Sequence, residues 1–227
     1  MIPMLARPAG RFSRRDLLKG SAALGGTLVI ATHIPLPALA EDAPAAPKLA
    51  PMPNAFIRIA PDDTVTVIVK HLDKGQGIAT GLSTIVAEEL DADWSQMRAE
   101  FAPADAKLYN NLLFGQVQGT GGSTSVANSW MQLRLAAAAA RAMLVAAAAA
   151  EWKVPAGEIT VESGVVQHKG SGKTGRFGAL AASAASLPVQ QNPTLKDPKT
   201  FRLFGSLAVK RLDTPDKITG KQIYAMT

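Results

Sequence analysis

Two stretches of this sequence place glycine beside small hydroxyl and amide residues immediately before a helical pattern. The first is Gly75-Gln76-Gly77. The second is Gly119-Thr120-Gly121-Gly122-Ser123-Thr124-Ser125, with Asn128 one turn further on. Glycine lets a backbone approach a ligand closely, and the Thr, Ser, Gln and Asn side chains offer neutral hydrogen bonds. A helix N-terminus adds unpaired N–H groups and the positive end of the helix dipole, which together favour an anion. The pair of loops suits a ligand with phosphates at one end and a polar ring system at the other. Either loop alone is equally well explained as a helix cap.

Other motifs carry less. Gly172-Lys173-Thr174 has the ending of a phosphate-binding loop, but Gln167 stands where the first glycine belongs. Gly75-x-Gly77 hints at dinucleotide binding, yet the sixth position is Thr80 and polar His71-Leu72-Asp73-Lys74 precedes the turn. A nicotinamide-dinucleotide oxidoreductase domain remains an alternative, and requires the Gly75 loop at the carboxyl end of a parallel strand. A non-enzymatic periplasmic binding or structural module is the other. His71 reads as a surface or hydrogen-bonded histidine, and Trp94, Trp130 and Trp152 as packing anchors. Glu88-Glu89 reads as a solvent-facing pair at a helix end. With no Ser–His–Asp set and no paired acids, no residue is assigned as catalytic.

The elements that position these loops follow from periodicity. Phe56 to Ile59 and Thr64 to Val69 alternate as a hairpin around Pro61-Asp62-Asp63. Leu82, Ile85, Val86 and Leu90 recur at helical spacing within 78–90, and Met97 to Phe101 reads as a strand. The longest helix spans about Ser125 to Lys153 and holds two five-alanine blocks, with Pro155 beyond it. Ile159 to Val161 and Val165-Val166 form a second hairpin over Ser163-Gly164. A short helix from Phe177 to Ser186 and a weak strand near Phe201 to Phe204 follow. The fold class is α+β: a mixed sheet with two or three packed helices, one of them long and alanine-rich.

The N-terminus reads as an address. Ser13-Arg14-Arg15 precedes an apolar run from Gly20 to Leu39, which ends in Ala38-Leu39-Ala40 and then Glu41-Asp42. Paired arginines, a short apolar core and a small-x-small cleavage site predict a twin-arginine signal peptide over 1–40. Pro35 and Pro37 argue against a spanning helix. The chain carries 24 Lys+Arg and 18 Asp+Glu, but Arg7, Arg11, Arg14, Arg15 and Lys19 belong to the leader, against Asp16 alone. The remainder holds 19 bases and 17 acids, so the basic balance gives no ground for a nucleic-acid partner. Cysteine is absent, which excludes disulfides and thiolate-held clusters, and three scattered histidines make no metal site. Residues 41–54 read as a proline-rich tether.

At the two loops the sequence resembles the large subunit of xanthine dehydrogenase-like molybdenum hydroxylases. Within that family the likeness is to the branch of isoquinoline 1-oxidoreductase beta subunits and membrane-bound aldehyde dehydrogenases. Lys74-Gly75-Gln76-Gly77, Ala87-Glu88-Glu89-Leu90, Gln118 to Ser125, Trp94, Pro53 to Phe56 and Lys210-Arg211-Leu212-Asp213 carry it. The resemblance implies that Gly75, Gln76 and Gly77 contact a molybdopterin cofactor, in the cytosine dinucleotide form. It implies that Thr120, Gly121, Gly122, Ser123, Thr124, Ser125 and Asn128 hold its pterin or phosphate. It further implies oxidation of aldehydes or N-heterocycles with water as oxygen source, and electrons leaving through a [2Fe–2S] small subunit and a cytochrome c subunit. Export once folded implies a periplasmic protein, associated with the inner membrane through its partners. Family large subunits are several times longer and carry a catalytic glutamate in a distant Gly-x-Gly-Glu loop. Gly157-Glu158 is only a turn here, and Gly175-Arg176-Phe177-Gly178 partly echoes a motif near the metal. The expectation is therefore a truncated or split large subunit, with a partial cofactor domain over 55–205 and the start of another over 206–227. Such a chain needs the remaining large-subunit domains or a complementary chain, and is inactive alone.

Overall fold

The computed structural model of the protein describes residues 28–32 and 54–222. The paired arginines, the Ala38-Leu39-Ala40 site and nearly all of the tether lie outside the described residues. Five residues of the segment read as leader lie within them, as strand β1 (Leu28–Thr32).

The first sheet has the order β1-β2-β3-β4. β2 (Asn54–Ile59) and β3 (Val65–Val69) form the expected antiparallel hairpin, with Ile57 opposite Val67 and Ile59 opposite Val65. Alternation sets Ile57, Ile59, Val65, Val67 and Met97 on one face, all fully buried. β3 then crosses through α1 (Ile78–Leu90) to β4 (Met97–Phe101), which lies parallel to it. One parallel pair thus sits in an otherwise antiparallel sheet.

The second long helix, α2 (Ser125–Trp152), packs mainly against α1, and also against β1 and β2. Ala136 to Ala140 are at most 1% exposed, so the first alanine block is core. By length and composition α2 could cross a membrane, but most of its apolar stretch is buried against the rest of the protein. Its C-terminus leads to a second sheet, β5 (Ile159–Glu162), β6 (Val165–His168) and β7 (Lys173–Arg176), antiparallel throughout. Helix α3 (Phe177–Ala185) returns to pack on α2 and β1.

The weak strand expected near Phe201 to Phe204 is absent. Those residues follow a single 3-10 turn, Pro198–Thr200, as loop. Their aromatic rings pack on Trp130 instead, at centroid distances of 6.3 Å for Phe201 and 5.6 Å for Phe204. The guanidinium of Arg134 stacks over Trp130 and Phe201, at 5.5 and 5.1 Å. Beyond residue 206 the chain doubles back: Trp94 Nε1 donates to Lys210 O and Leu212 N donates to Thr80 Oγ1. A five-residue helix, α4 (Thr214–Ile218), follows.

Candidate functional site

α1 and α2 lie side by side and point the same way. At one end, Glu89 of α1 meets Arg134 and Arg141 of α2; at the other, the loops that enter the two helices touch. Both positive dipole ends therefore meet at the carboxyl end of the parallel strands β3 and β4. Like ends side by side repel, and an anion between them relieves the repulsion. Neither N-cap residue, Gly77 or Thr124, makes a side-chain capping bond, and neither first turn contains an acid. The leading N–H groups are left for a ligand or water.

Internal hydrogen bonds clamp the loops together. Leu72 N donates to Thr120 Oγ1 at 2.8 Å, and Lys74 Nζ to Thr120 O at 3.2 Å. Thr124 Oγ1 donates to Gly121 O and accepts from Asn111 Nδ2, each at 2.8 Å. Asn128 is buried: its Oδ1 accepts from Leu112 N, and its Nδ2 donates to His71 Nε2 at 2.7 Å. Gln76 folds back on its own turn, donating to Leu72 O at 2.8 Å and accepting from Lys74 N at 2.5 Å. Of the residues read as ligand contacts, Gln76, Thr120, Thr124 and Asn128 therefore use their side chains to build the loops. Gly75, Gln76, Gly122 and Ser123 are solvent-exposed, and Ser125 opens α2 beside them.

His71 is the hub of this clamp. Its Nδ1 faces the carbonyl of Gly119 at 3.3 Å, and a carbonyl can only accept, so Nδ1 carries the proton. Nε2 is then free to accept from Asn128. Burial first, and the adjacent Lys70 charge second, push the imidazole down to about 4, which keeps it neutral in ordinary buffers. Lys70 is buried beside it, its Nζ donating to Asn110 O at 2.9 Å, and burial lowers the ammonium to about 7. Sequence reasoning missed Lys70, Asn110 and Asn111 and gave His71 only a generic role. The legible signal was a titratable pair directly after a strand of β-branched residues, Val65–Val69.

Arg211 was also missed as a neighbour of the first loop. Gly77 has φ +80°, and a Cβ there would lie 3.0 Å from Arg211 Nη2. Asp213 fixes that guanidinium through two hydrogen bonds, 2.9 Å to Nε and 2.7 Å to Nη2, and these bonds, with one from Lys217, hold its own carboxyl well below the usual range. A groove of about 750 Å3 opens beside it, with Leu72 and Ala79 on the loop side, Ala99 and Phe101 on β4, and Leu212 and Pro215 opposite. Two open helix ends fit the anionic part of an elongated ligand with hydrogen-bonding rings, and the adjoining groove, lined by Asp73, Asp213 and Asp216 as well as Arg98 and Lys221, is of mixed charge. Among the described residues, no group of three His, Asp or Glu side chains is placed to hold a metal ion.

The opposite end of α1 corrects an expectation. Glu88 and Glu89 do not face solvent; both are buried. Glu89 accepts from Arg134 Nε at 2.8 Å and Lys196 N at 2.6 Å, and Glu88 from Arg202 N and Leu203 N. Cations and backbone donors converge on these acids because residues 194–203 strap across the helix end. The motif Gly175-Arg176-Phe177-Gly178 lies away from the candidate site, by the β2–β3 turn. Gly178 is required there by packing: a Cβ would stand 2.3 Å from Pro61 O.

The nicotinamide alternative has its geometric condition met, since the Gly75 loop follows a parallel strand. Comparison with known proteins decides otherwise. In sequence the chain is similar to isoquinoline 1-oxidoreductase subunit beta of Brevundimonas diminuta, 32% identical over 95% of this chain and 32% of that one. It is also similar to the membrane-bound aldehyde dehydrogenase [pyrroloquinoline-quinone] of Gluconacetobacter polyoxogenes, 35% identical over 77% of this chain and 22% of that one. The chain thus spans a third or less of the length of these relatives. In structure it is similar to quinoline 2-oxidoreductase from Pseudomonas putida 86, with 20% identity and a TM-score of 0.45 over 82% of this chain and 25% of that one. The profile of the molybdopterin cofactor-binding domain matches residues 25–222, and the chain belongs to that family.

Proposed function

We propose that this chain is the N-terminal part of a molybdenum hydroxylase large subunit, and that the paired ends of α1 and α2 hold the cofactor. The observation that carries the reading is the junction of two uncapped, same-facing helix N-termini in a domain of this family. The backbone N–H groups of the first turns of α1 and α2, with the Ser123 and Ser125 hydroxyls, receive phosphate oxygens of a molybdopterin cytosine dinucleotide. Arg211 adds a positive charge beside Gly77. Gln76 reaches the pterin side after exchanging its bonds to Leu72 and Lys74 for the ligand. When bound, the molybdenum cofactor supplies the two-electron oxidation in which oxygen from water enters the substrate carbon. Aldehydes or N-heterocycles are the substrates.

On this reading these residues hold the cofactor, and the catalytic glutamate of the family belongs to the rest of the large subunit. Its partners are the rest of the large subunit, a [2Fe–2S] small subunit and a cytochrome c subunit. Export by the twin-arginine route delivers the loaded protein to the periplasm, which suits a cofactor inserted before export. The test is to produce the full chain with its leader in a twin-arginine-competent host and assay molybdenum and released pterin by mass spectrometry. Pterin that copurifies with the native chain and is lost from Gly77→Ala is the expected result. A folded chain without pterin, even when produced together with the remaining subunits, overturns the reading.

A further inference from the structure

Strand β1 takes its five residues from the middle of the apolar run read as the core of the leader. Leu28–Thr32 runs antiparallel to β2 with Leu28 opposite Ile59, Val29 opposite Arg58 and Thr32 opposite Asn54, and a shift after Ile30. It also lies against α2 and α3. The family match begins at residue 25 and so includes this strand. Behind it, Phe56, Ile57 and Ile59 of β2 are at most 1% exposed. Removing β1 would turn β2 into a sheet edge, whose unpaired N–H and C=O groups form a template for another strand. An apolar segment whose backbone is committed to that edge cannot at the same time be an extended signal available to an export machinery.

We propose that the outer edge of β2 is a strand-docking site whose occupant is the chain's own leader core, and that docking and export exclude each other. The docking half stands on the sheet; the exclusion half rests on the export reading above. In the folded domain Leu28–Thr32, the middle of the apolar run, stays committed to the sheet until β1 is released. Release leaves the β2 edge open, and cleavage after Ala40 removes its occupant.

The sequence contains no cysteine, so an introduced pair reports without background. Directly opposed residues of antiparallel strands have Cα atoms about 4.5–5.5 Å apart, within the span of a disulfide. The full chain carrying V29C and R58C is produced in a twin-arginine-competent host with an oxidising cytoplasm, beside a V29S/R58S control. Expected are loss of both free thiols to alkylation in the folded cytoplasmic chain, and loss of the periplasmic form relative to the serine control. Thiols that stay free in a folded chain overturn the docking. A cross-linked chain that reaches the periplasm as the control does overturns the exclusion. Should the serine and unsubstituted chains both stay in the cytoplasm, the export reading fails and takes the exclusion with it, while the cross-link still decides the docking.

Discussion

The two ends of α1 are treated in opposite ways. At the C-terminal end Glu88, Glu89 and Asp91 are met by Arg134, Arg141, Lys196 and Arg202, and backbone N–H groups of the 194–203 strap complete the carboxylates. At the N-terminal end the Gln76 side chain binds the backbone of its own turn, and no side chain caps the first-turn N–H groups. Cations at a helix C-terminus also complement its dipole, so the first end is closed on both counts. An end completed by protein contributes to stability; an end left open is one where a ligand can do the completing. Buried acids are thus no guide to function here, because the acids belong to the closed end.

This contrast can be broken at either side. The largest effect is expected at the closed end: Glu89→Leu strands Arg134 and the Lys196 amide in a buried site, at a cost of about 3–5 kcal/mol. Denaturant unfolding at neutral pH measures it, and a loss below about 1 kcal/mol would show that the cluster is solvated. Next comes the hub of the open end. His71→Leu leaves Asn128 Nδ2 without its acceptor and the Gly119 carbonyl with Asn111 Nδ2 alone, at about 1–3 kcal/mol, and loosens loop 110–124. Hydrogen exchange should speed up in that loop and stay unchanged in the 194–203 strap. Gly77→Ala sharpens the comparison, because strain at a positive φ costs only about 1 kcal/mol while Arg211 must move. Pterin retention is expected to fall far more than the melting temperature; equal falls would place Gly77 in a purely structural role.

Two further effects are read from pH. His71 is held down to about 4 against an ordinary 6.5, so the unfolded chain binds the proton first and stability falls as pH drops from 6.5 towards 4. Lys70 is held down to about 7 against 10.5, so its burial penalty is full below 7 and is relieved as pH rises from 7 to 10.5. Lys70→Met should flatten the alkaline rise and shorten the acid limb without abolishing it, because burial still holds His71 down once the Lys70 charge is gone. A rise of stability between pH 7 and 10 that persists unchanged in the variant would assign it to other groups.

Much of this architecture is legible in the residues. The alternation of 56–59 and 65–69, the spacing of Leu82, Ile85 and Val86, and the alanine run of α2 each carry a period that only one element satisfies. Loops before α1 and α2 are marked by glycine. Pairwise closure is harder to read, since nothing local says that Glu89 will find Lys196 or that His71 will find Asn128 across 57 positions. Side-chain roles within the loops also escape, because Thr120 and Gln76 have the same composition whether they face a ligand or the backbone. At Phe201 and Phe204 an aromatic-rich run suggested a strand, and tertiary packing on Trp130 took those rings instead.

The alanines of α2 set a dimension. Arg134 and Arg141 both reach Glu89, so the face between them, which includes Ala137 and Ala138, is turned towards α1. Interaxial distance follows side-chain size at the contact, and methyl groups bring helix axes near the short end of the usual 8–10 Å or so. The same stripe therefore acts as a gauge for the aperture between the two N-termini. A single Ala137→Leu, far from any loop, would wedge the helices apart and widen that aperture without touching a residue that lines it.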